Sequence, residues 1–79
     1  MRYLYFYGAW CNPCKTQSPI MNEVSSTIPV EKIDVDTNYE MASNYGIRSV
    51  PTILLMNGNS EVRRFVGIQT KETLIQAAQ

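Results

Sequence analysis

The chain has 79 residues, with seven basic and seven acidic side chains that cancel and no histidine. That length allows one domain around a thin core, and a hydrophobic fraction of 44% with 18% charged residues is that of an ordinary globular chain, not of a disordered, collagenous or disulfide-framework protein. Balanced charge, with Arg63-Arg64 the one adjacent like-charged pair, leaves no footprint for a nucleic acid, and no apolar run approaches the roughly 20 residues of a membrane-spanning helix.

Met1 leads directly into an aromatic segment without the charged region, apolar stretch and cleavage site of a secretory signal, so a cytoplasmic location is expected. From Arg2 to Tyr7 the aromatic and aliphatic run predicts a first strand, ended by Gly8 and Ala9. Ile20, Met21, Val24 and Ile28 then recur at helical spacing, with Lys15, Gln17, Asn22, Glu23 and Ser25 on the other positions, and predict a helix from about Cys11 to Thr27. Pro19 should kink that helix without ending it.

After Pro29, the residues Val30, Ile33 and Val35 predict a second strand. Asp36, Thr37 and Asn38 are helix-start residues for a short second helix through Met41 and Tyr45, stopped by Gly46. Val50-Pro51 opens a run, Thr52 to Met56, suited to a strand buried on both faces. Asn57-Gly58-Asn59 signals a hairpin into Glu61 to Val66, where the opposite parity of Val62 and Phe65 leaves room for a bulge. Gly67 ends that strand, Thr70 caps a last helix, and Leu74, Ile75 and Ala78 form its apolar stripe. The order β-α-β-α-β-β-α over residues 1–79 predicts a single α/β domain, a four-stranded mixed sheet with helices on both faces.

The chemistry concentrates in Trp10-Cys11-Asn12-Pro13-Cys14. A Cys-X-X-Cys pair between a strand and a helix puts its first sulfur at the helix N-terminus, where unpaired N–H groups and the positive dipole end favour a thiolate. Cys11 is thus the candidate nucleophile, and Cys14, one turn on, the resolving thiol that attacks a mixed disulfide. Pro13 suits the first helical turn. Trp10 offers an apolar surface beside the nucleophile, with burial in the core as its other reading. Two cysteines without histidine cannot complete a four-coordinate zinc site in one chain; a metal shared between two chains, or a pair of unreactive core cysteines, are the remaining alternatives.

Ala9-Trp10-Cys11-Asn12-Pro13-Cys14-Lys15 resembles the active-site signature of the thioredoxin family, with Asn12 where glycine is usual. Val30 to Asp36, Tyr45 to Thr52 and Val66-Gly67 match the family in order and spacing, so the resemblance covers nearly the whole chain. It implies a redox-active Cys11-Cys14 disulfide with no other cofactor, and a cis-proline at Pro51 that leaves the Val50 backbone free to pair with an extended substrate. It implies likewise a groove-opening glycine at Gly67.

Two departures stand out. The chain starts at the active-site strand, as glutaredoxins and miniature thioredoxins do, and Tyr5 occupies the position of the family's buried aspartate, with Lys32 at that of the neighbouring lysine. The implied function is reduction of protein disulfides by a monomer recharged by thioredoxin reductase or glutathione, with a phage or bacterial donor to ribonucleotide reductase as one form of it. A glutathione-dependent glutaredoxin-like carrier, a disulfide donor and a non-catalytic binding module are the competing readings.

Overall fold

A computed structural model describes residues 1–79. Strand β1 (Arg2–Tyr7) is followed by helix α1 (Asn12–Val24), strand β2 (Val30–Asp34), helix α2 (Tyr39–Asn44), strands β3 (Thr52–Asn57) and β4 (Ser60–Val66), and helix α3 (Lys71–Ala77). The strands form one sheet in the order β2-β1-β3-β4, with β1 parallel to β2 and antiparallel to β3, and β3 antiparallel to β4. This is the architecture expected from the sequence, and no helix is long and apolar enough to cross a membrane.

β1 lies inside the sheet, and Tyr3, Leu4, Tyr5 and Phe6 are all fully buried. Successive side chains of a strand point to opposite faces. Tyr3 and Tyr5 join Met21, Val24 and Leu74 on the side covered by α1 and α3, while Leu4 and Phe6 join Ile33 and Ala42 on the side covered by α2. An apolar β1 is therefore what a sheet covered on both faces requires.

α1 is shorter than the predicted Cys11 to Thr27. The Ser25 hydroxyl donates to the Asn22 carbonyl at 2.6 Å and that of Ser26 to the Glu23 carbonyl at 2.7 Å. Such local side-chain bonds compete with the helical ladder, and the chain closes in tight turns from Ser25 onward. Pro19 lies inside the helix, which continues through it to Val24. Gln17, assigned from sequence to the outer positions, is instead fully buried in the stripe Cys14, Gln17, Met21 and Val24.

Asn38 stands at the start of α2 but its side chain does not cap it; its amide donates instead to the Asp34 carbonyl at 3.1 Å, closing the turn after β2. Between β3 and β4 the register shifts at Leu55/Met56, so that Arg63 faces Leu55 and Glu61 faces Met56. Val62 is the extra residue of this bulge and is exposed, while Phe65 is buried, which resolves their conflicting parity. Thr70 caps α3 as expected, its hydroxyl accepting the Thr73 N–H at 3.1 Å.

Pairing places the site. Phe6 near the end of β1 faces Thr52 at the start of β3, so the turn leaving β1 and the Val50-Pro51 turn entering β3 meet at one end of the sheet.

Candidate active site

Cys11 is the N-cap of α1 with an extended backbone, and Pro13 sits in the first turn. The Cys14 backbone N–H donates to Cys11 Sγ at 3.2 Å. This is the N-terminal cap bond of an ordinary serine or aspartate made to sulfur, and in the dithiol state it would favour the thiolate, with the dipole acting in the same sense. No acidic side chain in the first turn opposes that charge. Cys11 and Cys14 are joined as a disulfide with their Cα atoms 5.2 Å apart, both almost fully covered.

Val50-Pro51 is a cis peptide bond, and the Val50 carbonyl oxygen lies 3.6 Å from Cys11 Sγ. Trp10 is 66% exposed, which removes the core alternative for it. Its indole N–H donates to Asp36 Oδ2 at 2.9 Å, and a groove beside the disulfide is lined by Trp10, Val35, Ile47, Arg48, Ser49 and Val50. Gly67 has φ +93°, a left-handed conformation that favours glycine, and an added Cβ there would meet nothing. Its N–H donates to the Pro51 carbonyl at 2.9 Å, which brings the end of β4 to the same edge. The structure thus gathers Trp10, Cys11, Cys14, Val50, Pro51 and Gly67 at one end of the sheet; Asn12 is exposed on the first turn.

Beneath Cys14 stands Tyr5. Its hydroxyl donates to the Cys14 carbonyl at 3.2 Å and pairs with Ser18 Oγ at 2.9 Å. Burial pushes the phenol pKa up, partly offset by the Ser18 hydrogen bond, so the group is neutral at pH 7. Lys32 faces Tyr5 across the β1–β2 pair in register, but on a strand whose surface is exposed at that position.

Two contributors escaped the sequence reading. Asp36 carries only a helix-start signal in the sequence, and its bond to Trp10 joins positions too far apart in the chain for local patterning to reveal. Gln17 had a signal: it stands three residues after Cys14, in line with Met21 and Val24, and that spacing aims it inward.

A family model described as Thioredoxin matches residues 2–79. Thioredoxin from Alicyclobacillus acidocaldarius is 38% identical over 73 residues, covering 87% of this chain and 70% of the relative. The bifunctional thioredoxin reductase/thioredoxin of Mycobacterium leprae is 40% identical over 75 residues, covering 90% of this chain but 16% of that protein. Among solved structures, a mutant thioredoxin from Halobacterium salinarum superposes with a TM-score of 0.89 at 36% identity, covering 96% of this chain and 69% of the other.

Proposed function

The chain belongs to the thioredoxin family of thiol-disulfide oxidoreductases, and from that membership we propose that it reduces protein disulfides, with Cys11 as nucleophile and Cys14 as resolving thiol. The observation that carries the assignment of roles is the Cys11 sulfur at the cap of α1, accepting the Cys14 N–H.

In the reduced protein, the Cys11 thiolate attacks one sulfur of a substrate disulfide. The S–S bond breaks, a first substrate thiolate departs and takes up a proton, and Cys11 is left in a mixed disulfide. Cys14 loses its proton and attacks Cys11 Sγ, which forms the Cys11-Cys14 disulfide and releases the second substrate thiol. Two electrons have passed to the substrate. The Val50 backbone and the groove beside Trp10 hold the extended substrate segment, and Gly67 keeps the far wall clear.

Recharging takes two electrons from a thioredoxin reductase, supported by the Mycobacterium leprae relative, whose name joins that enzyme to a thioredoxin. The protein works as a cytoplasmic monomer without a further cofactor. Insulin reduction coupled to NADPH and thioredoxin reductase tests this. Turnover with the reductase and none with glutathione and glutathione reductase is expected; turnover with glutathione alone would replace this reading with the glutaredoxin-like one.

A further inference from the structure

Gln17 is an uncharged polar side chain with no exposure, on the face of α1 that carries Cys14. Burying a primary amide costs stability unless its donors and acceptor are paired. Both ends are paired with one residue: Gln17 Oε1 accepts the Gln69 N–H at 2.7 Å, and Gln17 Nε2 donates to the Gln69 carbonyl at 3.2 Å. A side-chain amide here does what a neighbouring strand would do, accepting and donating to a single peptide position.

The same segment is pinned two residues earlier, where the Gly67 N–H donates to the Pro51 carbonyl. Between the two pins stands Ile68, 48% exposed, beside Val66 at 62%. The contacts run without a break from Cys11 Sγ to the Val50 carbonyl, through Pro51 to Gly67, and from Gln69 back to α1 three residues past Cys14. Large exposed apolar side chains held in a fixed place make a surface for a macromolecule; a small disulfide has no use for them.

We propose that Gln17 is a positioning residue for protein substrates. It fixes the segment from Gly67 to Gln69 against the cysteine helix, so that Ile68 forms a rigid wall of the docking surface, and it takes no part in the thiol chemistry. The inference rests on the disulfide-reductase reading above and names the residue that sets its preference for proteins.

The test compares insulin with hydroxyethyl disulfide as substrates for the unaltered chain, Gln17→Met and Ile68→Ala. Methionine fills a similar volume but cannot pair with the Gln69 peptide group. Gln17→Met should raise KM for insulin by about tenfold, because both hydrogen bonds that hold the Gln69 peptide group are lost, with kcat little changed. Its exchange rate with hydroxyethyl disulfide and its reduction potential should stay as they are. Ile68→Ala, a surface change that does not depend on the core tolerating a substitution, should also raise KM for insulin, and the double variant should show less than the product of the two effects because both act through one segment. Equal losses toward both substrates, a shifted potential, an unchanged KM in Ile68→Ala, or effects that multiply fully would each overturn the proposal. Failure of the unaltered chain to reduce either substrate would instead sink the reductase reading itself.

Discussion

The Trp10 indole N–H donates to Asp36 Oδ2 at 2.9 Å across 26 residues of sequence, tying the active-site turn to the segment that leaves β2. The ring lies over Gly8, where an added Cβ would come within 2.8 Å of Trp10 Cε2 and 2.9 Å of Cζ2. Real Cβ atoms do not approach so closely, so any larger residue at Gly8 must move the indole. Glycine there and a carboxylate at Asp36 hold an exposed tryptophan in one orientation, which lowers the entropy cost of using it for binding.

Removing that tether should be felt in binding. Asp36→Ala leaves the fold intact and frees the indole; a hydrogen bond to a charged acceptor at an exposed site contributes about 1 kcal/mol, so kcat/KM for insulin should fall by about fivefold. Gly8→Ala should do at least as much by displacing the ring. Steady-state kinetics with tryptophan fluorescence anisotropy checks this. Normal kinetics despite a mobile indole would show that Trp10 does not contribute to docking.

The unequal roles of the two cysteines predict different variants. Cys14→Ser should trap insulin chains in a mixed disulfide through Cys11, visible by mass spectrometry, and Cys11→Ser should trap none. A mixed disulfide accumulating in Cys11→Ser would reverse the assignment.

Tyr5 makes a prediction in alkali. Burial raises its folded-state pKa above the ordinary tyrosine value, and that of Tyr3 as well. A group raised in this way contributes stability that is present below its unfolded pKa, about 10, and is lost as pH rises through the folded value. Tyr5→Phe removes one such group along with its bonds to Ser18 and Cys14. It should cost about 1 kcal/mol at pH 7, and the deficit should shrink above pH 10 as the parent loses its advantage. Urea unfolding from pH 7 to pH 11 measures this; a deficit independent of pH would rule out titration of Tyr5 as a source of alkaline instability.

Much of this was legible in the sequence for identifiable reasons. β1 needed no tertiary information, because Tyr3 to Phe6 have no breaker and no charge, and a strand buried on both faces wants neither. Cys11, Pro13 and Cys14 declare a helix start by residue type. The sequence overruns the end of α1 because Ile28 keeps helical phase with Val24, while the serine hydroxyls that close the helix bond to carbonyls that come within their reach only once it has formed. Polarity alone points Gln17 outward, which assumes that a buried amide lacks partners; the peptide group that pairs with both its ends lies 52 residues away. The Tyr5 hydroxyl is the same case, since an aromatic residue in a strand shows its apolar body to a pattern and hides its polar tip.

Arg64 gives a last prediction, about the segment that leaves α2. Its guanidinium pairs with Glu61, Nε to Oε2 at 2.8 Å, and also donates to the Tyr45 carbonyl at 2.6 Å and the Gly46 carbonyl at 3.4 Å. The pair with Glu61 is partly exposed, about a third for each side chain, and such pairs contribute roughly 0 to 1 kcal/mol. The carbonyls lie just past the end of α2, where orphan acceptors and the negative end of the dipole favour a cation. Arg64→Ala should therefore cost about 1.5 kcal/mol, more than Glu61→Ala, which removes the surface pair alone. Arg64 holds the Glu61 carboxyl below its ordinary pKa, chiefly through the hydrogen bond. That contribution is present above the unfolded pKa of about 4.5 and is lost as pH falls through the lower folded value. Denaturant unfolding of both variants at pH 7 and pH 3 separates the two effects: the Glu61→Ala deficit should shrink in acid while most of the Arg64→Ala deficit remains. Equal deficits at pH 7 would mean that the ion pair, and not the helix-end carbonyls, accounts for what Arg64 contributes.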